Sequence, residues 1–314
     1  MSLAENNSSA YTSFRHKRGP QIVFMTVTIE NILHETHQRL QAANLYYGHG
    51  SDNAWDEAVF LVLTACRLPL DSGDEVLKRP LTPEEQERIA LWQSQRIDQQ
   101  RPLPYITQEA WFAGLPYYVD ERVLIPRSPF AEWINQQFRP WCRPEQLKHI
   151  LEIGTGSGCI AIATAMALPF AKIDAVDISP AALEVAKKNI ARYGMENRVT
   201  LYQSDVFNEL PKKTYDLILS NPPYVSEDEM RDLPGEYLHE PAIALKASNE
   251  GMAVVDRILS QAKAYLMPHG ILMVEVGYSQ AIFNRHYPNL DVVWLEQTYG
   301  GEGIFCISYE NLEF

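Results

Sequence analysis

Residues 149 to 168 constrain the fold of this chain more than any other stretch. His149-Ile150-Leu151-Glu152-Ile153 is an apolar run of strand length, Gly154-Thr155-Gly156-Ser157-Gly158 follows at once, and Cys159 to Leu168 is apolar, Ala-rich and of helical length. Strand, glycine turn and helix in that order is the layout of a nucleotide-type cofactor site. The glycine spacing narrows it. A dinucleotide fingerprint wants its third glycine three residues after the second, where this chain has Cys159; its third glycine is Gly158, and an acid, Glu152, leads the turn. A nicotinamide-dependent oxidoreductase shares the sheet, and the spacing argues against it.

The downstream segments keep the phase. Lys172-Ile173-Asp174-Ala175-Val176-Asp177 reads as a second strand ending in an acid, where ribose hydroxyls find an acceptor in the Rossmann crevice. Ser179-Pro180 supplies an N-cap and first-turn proline for a helix to about Arg192. Val199 to Gln203 is a third strand, followed by Ser204-Asp205-Val206-Phe207. Tyr215 to Ser220 is a fourth, buried in pattern, and it ends at Asn221-Pro222-Pro223-Tyr224.

That tetrapeptide has a chemistry of its own. An NH2 nitrogen conjugated to a carbonyl or ring is planar and a poor nucleophile. The side-chain oxygen of Asn221 and the carbonyl of Pro222 are acceptors for its two N–H groups, the prolines fix φ and add no competing donor, and Tyr224 offers a flat packing face. Such an amine belongs equally to an amide side chain and to a nucleobase.

Bulk properties exclude other classes. No apolar run is long enough to span a bilayer and no signal-peptide pattern opens the chain. Cys66, Cys142, Cys159 and Cys306 lack disulfide or zinc spacing and read as reduced thiols of a cytoplasmic protein, Cys159 as a packing residue. His34 and His37 read as a surface pair rather than a metal site; no metal is expected. The formal net charge of -13, with Arg15 to Arg18 as the one basic cluster, opposes stable DNA binding and favours a basic protein partner.

The organisation expected is an extension over 1–25, disordered or a tag with Met25 as a start, then a helical substrate-recognition domain over 26–102. A bridging hairpin over 103–127, turning near Gly114, leads to the cofactor-binding domain of the glycine turn over 128–314. Helices are expected from Thr28 to about Leu45, from about Asn53 to Cys66, and from a capping box at Thr82-Pro83-Glu84-Glu85 to about Gln99. Ser128-Pro129 caps a further helix. Leu233 to Glu250 reads as irregular, Ala253 to Met267 as a crossover helix, and Gly270–Glu275, Val292–Glu296 and Gly303–Ser308 as strands, the last pair antiparallel.

The order Glu-x-Gly-x-Gly-x-Gly resembles motif I of class I S-adenosylmethionine-dependent methyltransferases. That implies a Rossmann-like, seven-stranded mixed α/β sheet, S-adenosyl-L-methionine as cofactor, and a cofactor site of Glu152, Gly154, Thr155, Gly156, Ser157, Gly158, Asp177, Asp205, Val206 and Asn221. In those enzymes Asp205 would reach the adenine amino group, and Val206 and Phe207 would line the ring. Asp120 to Arg127, the Asn-Pro-Pro-Tyr site and His239-Glu240-Pro241-x-x-Ala244-Leu245 together resemble the HemK family of protein glutamine N5-methyltransferases, over nearly everything after about residue 28. The release-factor branch continues Pro-Arg-Pro-Glu-Thr-Glu, whereas this chain reads Pro126-Arg127-Ser128-Pro129-Phe130-Ala131-Glu132. With Ala42 to Gly50 and Asn53-x-Trp55-Asp56-Glu57-Ala58, it is similar to the sister branch, which implies a glutamine of ribosomal protein L-three of the large subunit as substrate. Asn221, Pro222, Pro223 and Tyr224 would then hold the acceptor. A release-factor enzyme, a nucleic-acid adenine-N6 or cytosine-N4 methyltransferase and a non-catalytic ribosome-assembly factor are the alternatives.

Overall fold

The computed structural model describes residues 27–298 and 300–313. The expectations for residues 1–25, including Arg15 to Arg18 and Met25, lie outside them. The helices are α1 (Ile29–Ala42), α2 (Ala54–Ala65), α3 (Pro83–Ile97), α4 (Leu103–Thr107), α5 (Phe130–Asn135), α6 (Cys159–Ala167), α7 (Pro180–Arg192), α8 (Glu229–Asp232), α9 (Ala242–Leu245), α10 (Ala253–Ala262) and α11 (Gln280–His286). The strands are β1 (Glu109–Phe112), β2 (Leu115–Tyr118), β3 (His149–Ile153), β4 (Lys172–Asp177), β5 (Val199–Gln203), β6 (Tyr215–Ser220), β7 (Leu266–Glu275), β8 (Val293–Leu295) and β9 (Ile304–Ser308).

Local chemistry sets the ends of the N-terminal helices. Thr28 and Asn31 exchange hydrogen bonds in a capping box ahead of α1, the Asn53 side chain accepts from the N–H groups of Trp55 and Asp56, and Thr82 with Glu85 boxes α3. These helices bury Ile29, Leu61, Val62 and Ile89 in a core of their own. His34 and His37 pack around Trp55, with ring centroids 5.6 and 5.2 Å away.

The main sheet has seven strands in the order β5-β4-β3-β6-β7-β9-β8. The first five are parallel, and β9 runs antiparallel to both β7 and β8. Side chains of β3 feed both faces: Ile150 joins one core, Leu151 and Ile153 the other. A strand covered twice has no polar face, so β3 buries Ile150, Leu151 and Ile153 and even its one acid, Glu152. α6 is buried almost all round, which explains its Ala-rich sequence. Burial pushes the Cys159 thiol up to about 12, so it is a packing group and no thiolate. The chain moves outward from β3 to β4 and β5, then returns to β6 on the other side, so the switch point lies between β3 and β6. No helix among the described residues is long and apolar enough to cross a membrane.

Several boundaries differ from expectation. The hairpin occupies only Glu109 to Tyr118, with Gly114 at its turn, because Leu103 to Thr107 forms the helix α4. Leu103, Pro104, Tyr105 and Ile106 are all buried there, and burial outweighed the apolar–polar alternation read as strand. The crossover helix stops at Ala262, and β7 starts already at Leu266, ahead of Gly270. The segment read as irregular contains α9 and a 3-10 turn over Gly235–His239.

Candidate active site

Both glycine loop and Asn-Pro-Pro-Tyr segment sit at the switch point, after neighbouring strands. A Cβ on Gly154 would lie 3.6 Å from the Asn221 carbonyl oxygen. Gly154 and Gly156 have φ of +76° and +54°, the left-handed region that favours glycine. At Gly156 no protein atom lies within 4 Å of such a Cβ, so within the protein it is the backbone turn that calls for glycine. Gly158 plays a different part: a Cβ there would meet that of Ala186 on α7 at 3.2 Å, so it sets helix packing.

A cleft of about 250 Å³ opens over this loop. Gly154, Gly156, Asp177, Asp205, Val206, Asn221, Pro222 and Pro223 line it, together with Ile178, Ile243, Lys246 and Arg257. Asp177 holds the loop from beneath, accepting from the Gly156 N–H at 2.8 Å and the Ser179 N–H at 2.9 Å. Burial raises its carboxyl above the ordinary value, and those N–H groups pull it back. Asp205 pairs with Arg257 of α10 at 2.8 Å, a partner that sequence spacing does not reveal. Val206 stands at φ +58°, a strained position for a β-branched residue, in the turn that faces the cleft.

Not every residue expected here reaches the cleft. Glu152 is buried behind the loop, accepting from Thr155 Oγ1 at 2.7 Å; burial pushes its carboxyl up to about 8. The Ser157 carbonyl accepts from Asn189 of α7. Glu152, Thr155, Ser157 and Gly158 thus shape the loop and do not line the cleft. Phe207, expected against a bound ring, is fully buried and stacks on Tyr265 with centroids 4.6 Å apart. The left-handed turn at Val206 sends the next side chain into the core.

A second cleft, about 530 Å³, lies on the other side of Asn221 and Pro222. Those two residues line both clefts; Tyr224 lines only the second. Among described residues the Asn221 side chain has no hydrogen-bond partner, leaving its oxygen free to accept. The second cleft also takes Tyr46, Asp52, Arg127, Tyr237, Glu275, Tyr278 and Glu302. Arg127, its one cation among the described lining residues, grips both carboxylate oxygens of Glu240, at 2.6 and 2.7 Å, and lies over the Tyr237 ring. Burial alone would raise the Glu240 carboxyl, but His49 and Arg127 hold it at about 2. Glu240 also accepts from the Ile125 N–H, and His49 Nε2 lies 3.5 Å away without hydrogen-bond alignment. So the segments around His49, Arg127 and Glu240, far apart in sequence, meet at one carboxylate.

A second buried junction ties the helical part to this cleft. Arg96 of α3, 2% exposed, donates to Glu57 of α2, to Glu236 at 3.1 Å and to the Tyr46 carbonyl at 2.8 Å. Glu236 accepts in turn from the Tyr46 N–H at 2.8 Å. Sequence reasoning missed Arg96. Its signal was present: Glu85, Ile89, Gln93 and Arg96 share the buried face of α3, placing a charge in phase with a core residue. Arg257 and Glu275 carried no such signal.

A glycine loop and an Asn-Pro-Pro-Tyr corner at the switch point of this mixed sheet define a class I methyltransferase. The model of the methyltransferase small domain matches residues 142–248. A ribosomal protein uL3 glutamine methyltransferase of Bordetella pertussis is 44% identical over 91% of this chain and 96% of its own length. One from Burkholderia pseudomallei is 40% identical over 91% and 95%. Among solved structures, a methyltransferase from Pyrococcus furiosus overlays with a TM-score of 0.45 at 16% identity, covering 73% of this chain and 99% of that one. The chain belongs to the family of ribosomal protein uL3 glutamine methyltransferases.

Proposed function

We propose that this protein transfers the methyl group of S-adenosylmethionine to the side-chain nitrogen, N5, of a glutamine in ribosomal protein uL3. The observation that carries the reading is that Asn221 and Pro222, with Leu124 and Ala244, line both clefts. A donor in one and an acceptor amide in the other would meet across that shared lining.

The first cleft suits the cofactor by its donor set. Asp177 and Asp205 offer carboxylates to ribose hydroxyls and an adenine amine, the backbone at Gly154 and Gly156 is bare of Cβ, and the half-exposed Ile178 and Ile243 offer apolar contact. When bound, S-adenosylmethionine supplies a methyl already made electrophilic by the sulfonium. The chain's own residues therefore position and desolvate. Asn221 Oδ1 and the Pro222 carbonyl accept the two amide N–H groups, which turns the nitrogen lone pair toward the donor cleft, while the Tyr224 ring packs on the amide plane. The nitrogen held by Asn221 and Pro222 would give up one proton to solvent as it gains the methyl.

The acceptor cleft favours a polypeptide over nucleic acid. Its one described cation is committed to Glu240, and Asp52 and Glu302 stand at its lining, where phosphates would be repelled and basic flanks attracted. The helical part contributes Tyr46 and Asp52 to that lining, which supports a role in substrate recognition. Modification of a ribosomal protein would place the enzyme in the cytoplasm.

The test is transfer from labelled S-adenosylmethionine to unmethylated uL3, to a release factor and to total nucleic acid, offered separately. Label on a uL3 glutamine alone is the expected result. Label on the release factor keeps the chemistry and overturns the substrate; label on nucleic acid alone overturns the acceptor class.

A further inference from the structure

We propose that Glu275, the last residue of β7, is a positioning residue for the transfer reaction: it fixes the Tyr224 ring against which the acceptor amide packs. This rests on the reading of Asn221 to Tyr224 as the acceptor site.

Tyr224 is held from several sides. Its hydroxyl donates to Glu275 Oε1 at 3.2 Å. Its ring lies on Gly277, where a Cβ would come within 2.8 Å of a ring carbon. Its carbonyl crowds Gly251, where a Cβ would come within 2.1 Å. Gly277 is pinned in turn: the Val276 N–H donates to the Gly303 carbonyl at 2.7 Å, and a Cβ on Gly303 would strike the Gly277 carbonyl oxygen at 1.9 Å. The end of β7 is thus shaped to receive one ring in one place.

Within this cradle Glu275 is the costly member. It is 4% exposed, and the nearby Arg127 guanidinium is committed to Glu240, so among the described residues no cation bonds to it. Its two bonds come from hydroxyls, Tyr224 to Oε1 and Ser128 to Oε2. A buried carboxylate without a cationic partner is destabilising relative to an apolar or amide side chain. What it provides is direction. Burial pushes its carboxyl up to about 7, and the Ser128 and Tyr224 hydroxyls and the Arg127 charge draw it back. In the ionised form it only accepts, so both hydroxyls point their hydrogens at it and the Tyr224 ring is held by its far end. Ser128, whose Oγ also accepts from the Phe130 N–H at the start of α5, holds the carboxylate that holds the ring.

The experiment is steady-state kinetics of Y224F, E275A, E275Q and the double variant Y224F/E275A in the full chain, with N221A alongside and binding of S-adenosylmethionine measured for each. Y224F and E275A are each expected to lower kcat on the order of 10- to 100-fold, the cost of a misplaced reacting group. Cofactor affinity stays within about twofold. The double variant should be no worse than the poorer single, because both remove one interaction. E275Q, whose carbonyl still accepts from Tyr224, recovers most of the lost kcat. Multiplying losses, or cofactor affinity falling in step with kcat, overturns the proposal. If E275A does not fold, a Y224F variant of native kcat overturns it equally. N221A separates the two readings: an active N221A sinks the acceptor site itself, whereas an inactive N221A beside an unaffected Y224F removes only the role of Glu275.

Discussion

The donor half and the acceptor half of this site are built in opposite ways. The donor half is built on one contiguous piece, with β3, the glycine turn after it, and Asp177 at the end of the adjacent strand holding that turn by backbone N–H groups, to which Asp205, Val206 and Ile243 are added from elsewhere. The acceptor half is gathered from segments around Tyr46, Arg127, Asn221, Tyr237 and Glu275, and buried charges clamp them together. A ligand that never changes can be bound by backbone geometry, which a short motif encodes. A protein partner must be chosen by side chains brought from afar, and the helical part contributes Tyr46 and Asp52 to the lining of the second cleft.

The sharpest break of that comparison is Asn221→Ala, because Asn221 faces both halves. Loss of its acceptor oxygen should cost kcat ~10²-fold or more through misorientation of the amide, with cofactor affinity nearly unchanged. Cofactor affinity falling as far as kcat would assign Asn221 to the donor half instead. Arg96→Met comes next. It leaves Glu57 and Glu236 buried without their cation, a change that costs ~3–5 kcal/mol where buried pairs are broken. Melting should drop, and KM for the protein substrate should rise while cofactor binding in the surviving fold holds. Unchanged KM would mean that the helical part is structural only.

The same contrast explains what could be read in the sequence. β3, β4 and β6 fall where their sequence pattern places them, since burial on both faces leaves little alternative; β5, at the sheet edge, is only partly buried. The position of Asn221 to Tyr224 was legible because the segment follows directly on the buried strand β6. Phe207 was misassigned because a left-handed Val206 redirects the chain, and backbone sign is not written in a β-branched residue. α4 was hidden because a one-turn helix buried on nearly every side shows no helical stripe. Glu275 was invisible for a third reason: its partners are 51 and 147 residues away. Proximity across a sheet has no spacing in the chain.

A smaller effect sharpens the donor side. Asp177→Ala removes an acceptor for the ribose and also frees the N–H groups of Gly156 and Ser179. Charge-assisted bonds of this kind contribute ~1.5–3 kcal/mol, so the cofactor Kd should rise roughly 10- to 100-fold by calorimetry. KM for the protein substrate should not follow. A parallel rise would show that the two halves are coupled through the loop.

The smallest effect on transfer is expected at Glu152, which lies behind the donor loop and outside the cleft. Burial pushes its carboxyl up to about 8 against an ordinary unfolded value of ~4.3. Below that unfolded value both states hold the proton, and its contribution to stability is fully present. As pH rises toward 8 the unfolded chain releases the proton while the folded chain keeps it, so this contribution is progressively lost. Glu152→Gln keeps an acceptor for the Thr155 hydroxyl and has no proton to lose. The variant's melting temperature should therefore gain on the native protein between pH 5 and pH 8, by several degrees at ~2–4 °C per kcal/mol. Cofactor affinity at pH 6, where both side chains are neutral in the fold, should match. A melting difference independent of pH would mean that Glu152 is ionised in the fold and tied to a cation. Matched melting with a lost cofactor would move it from the scaffold of the loop into the site.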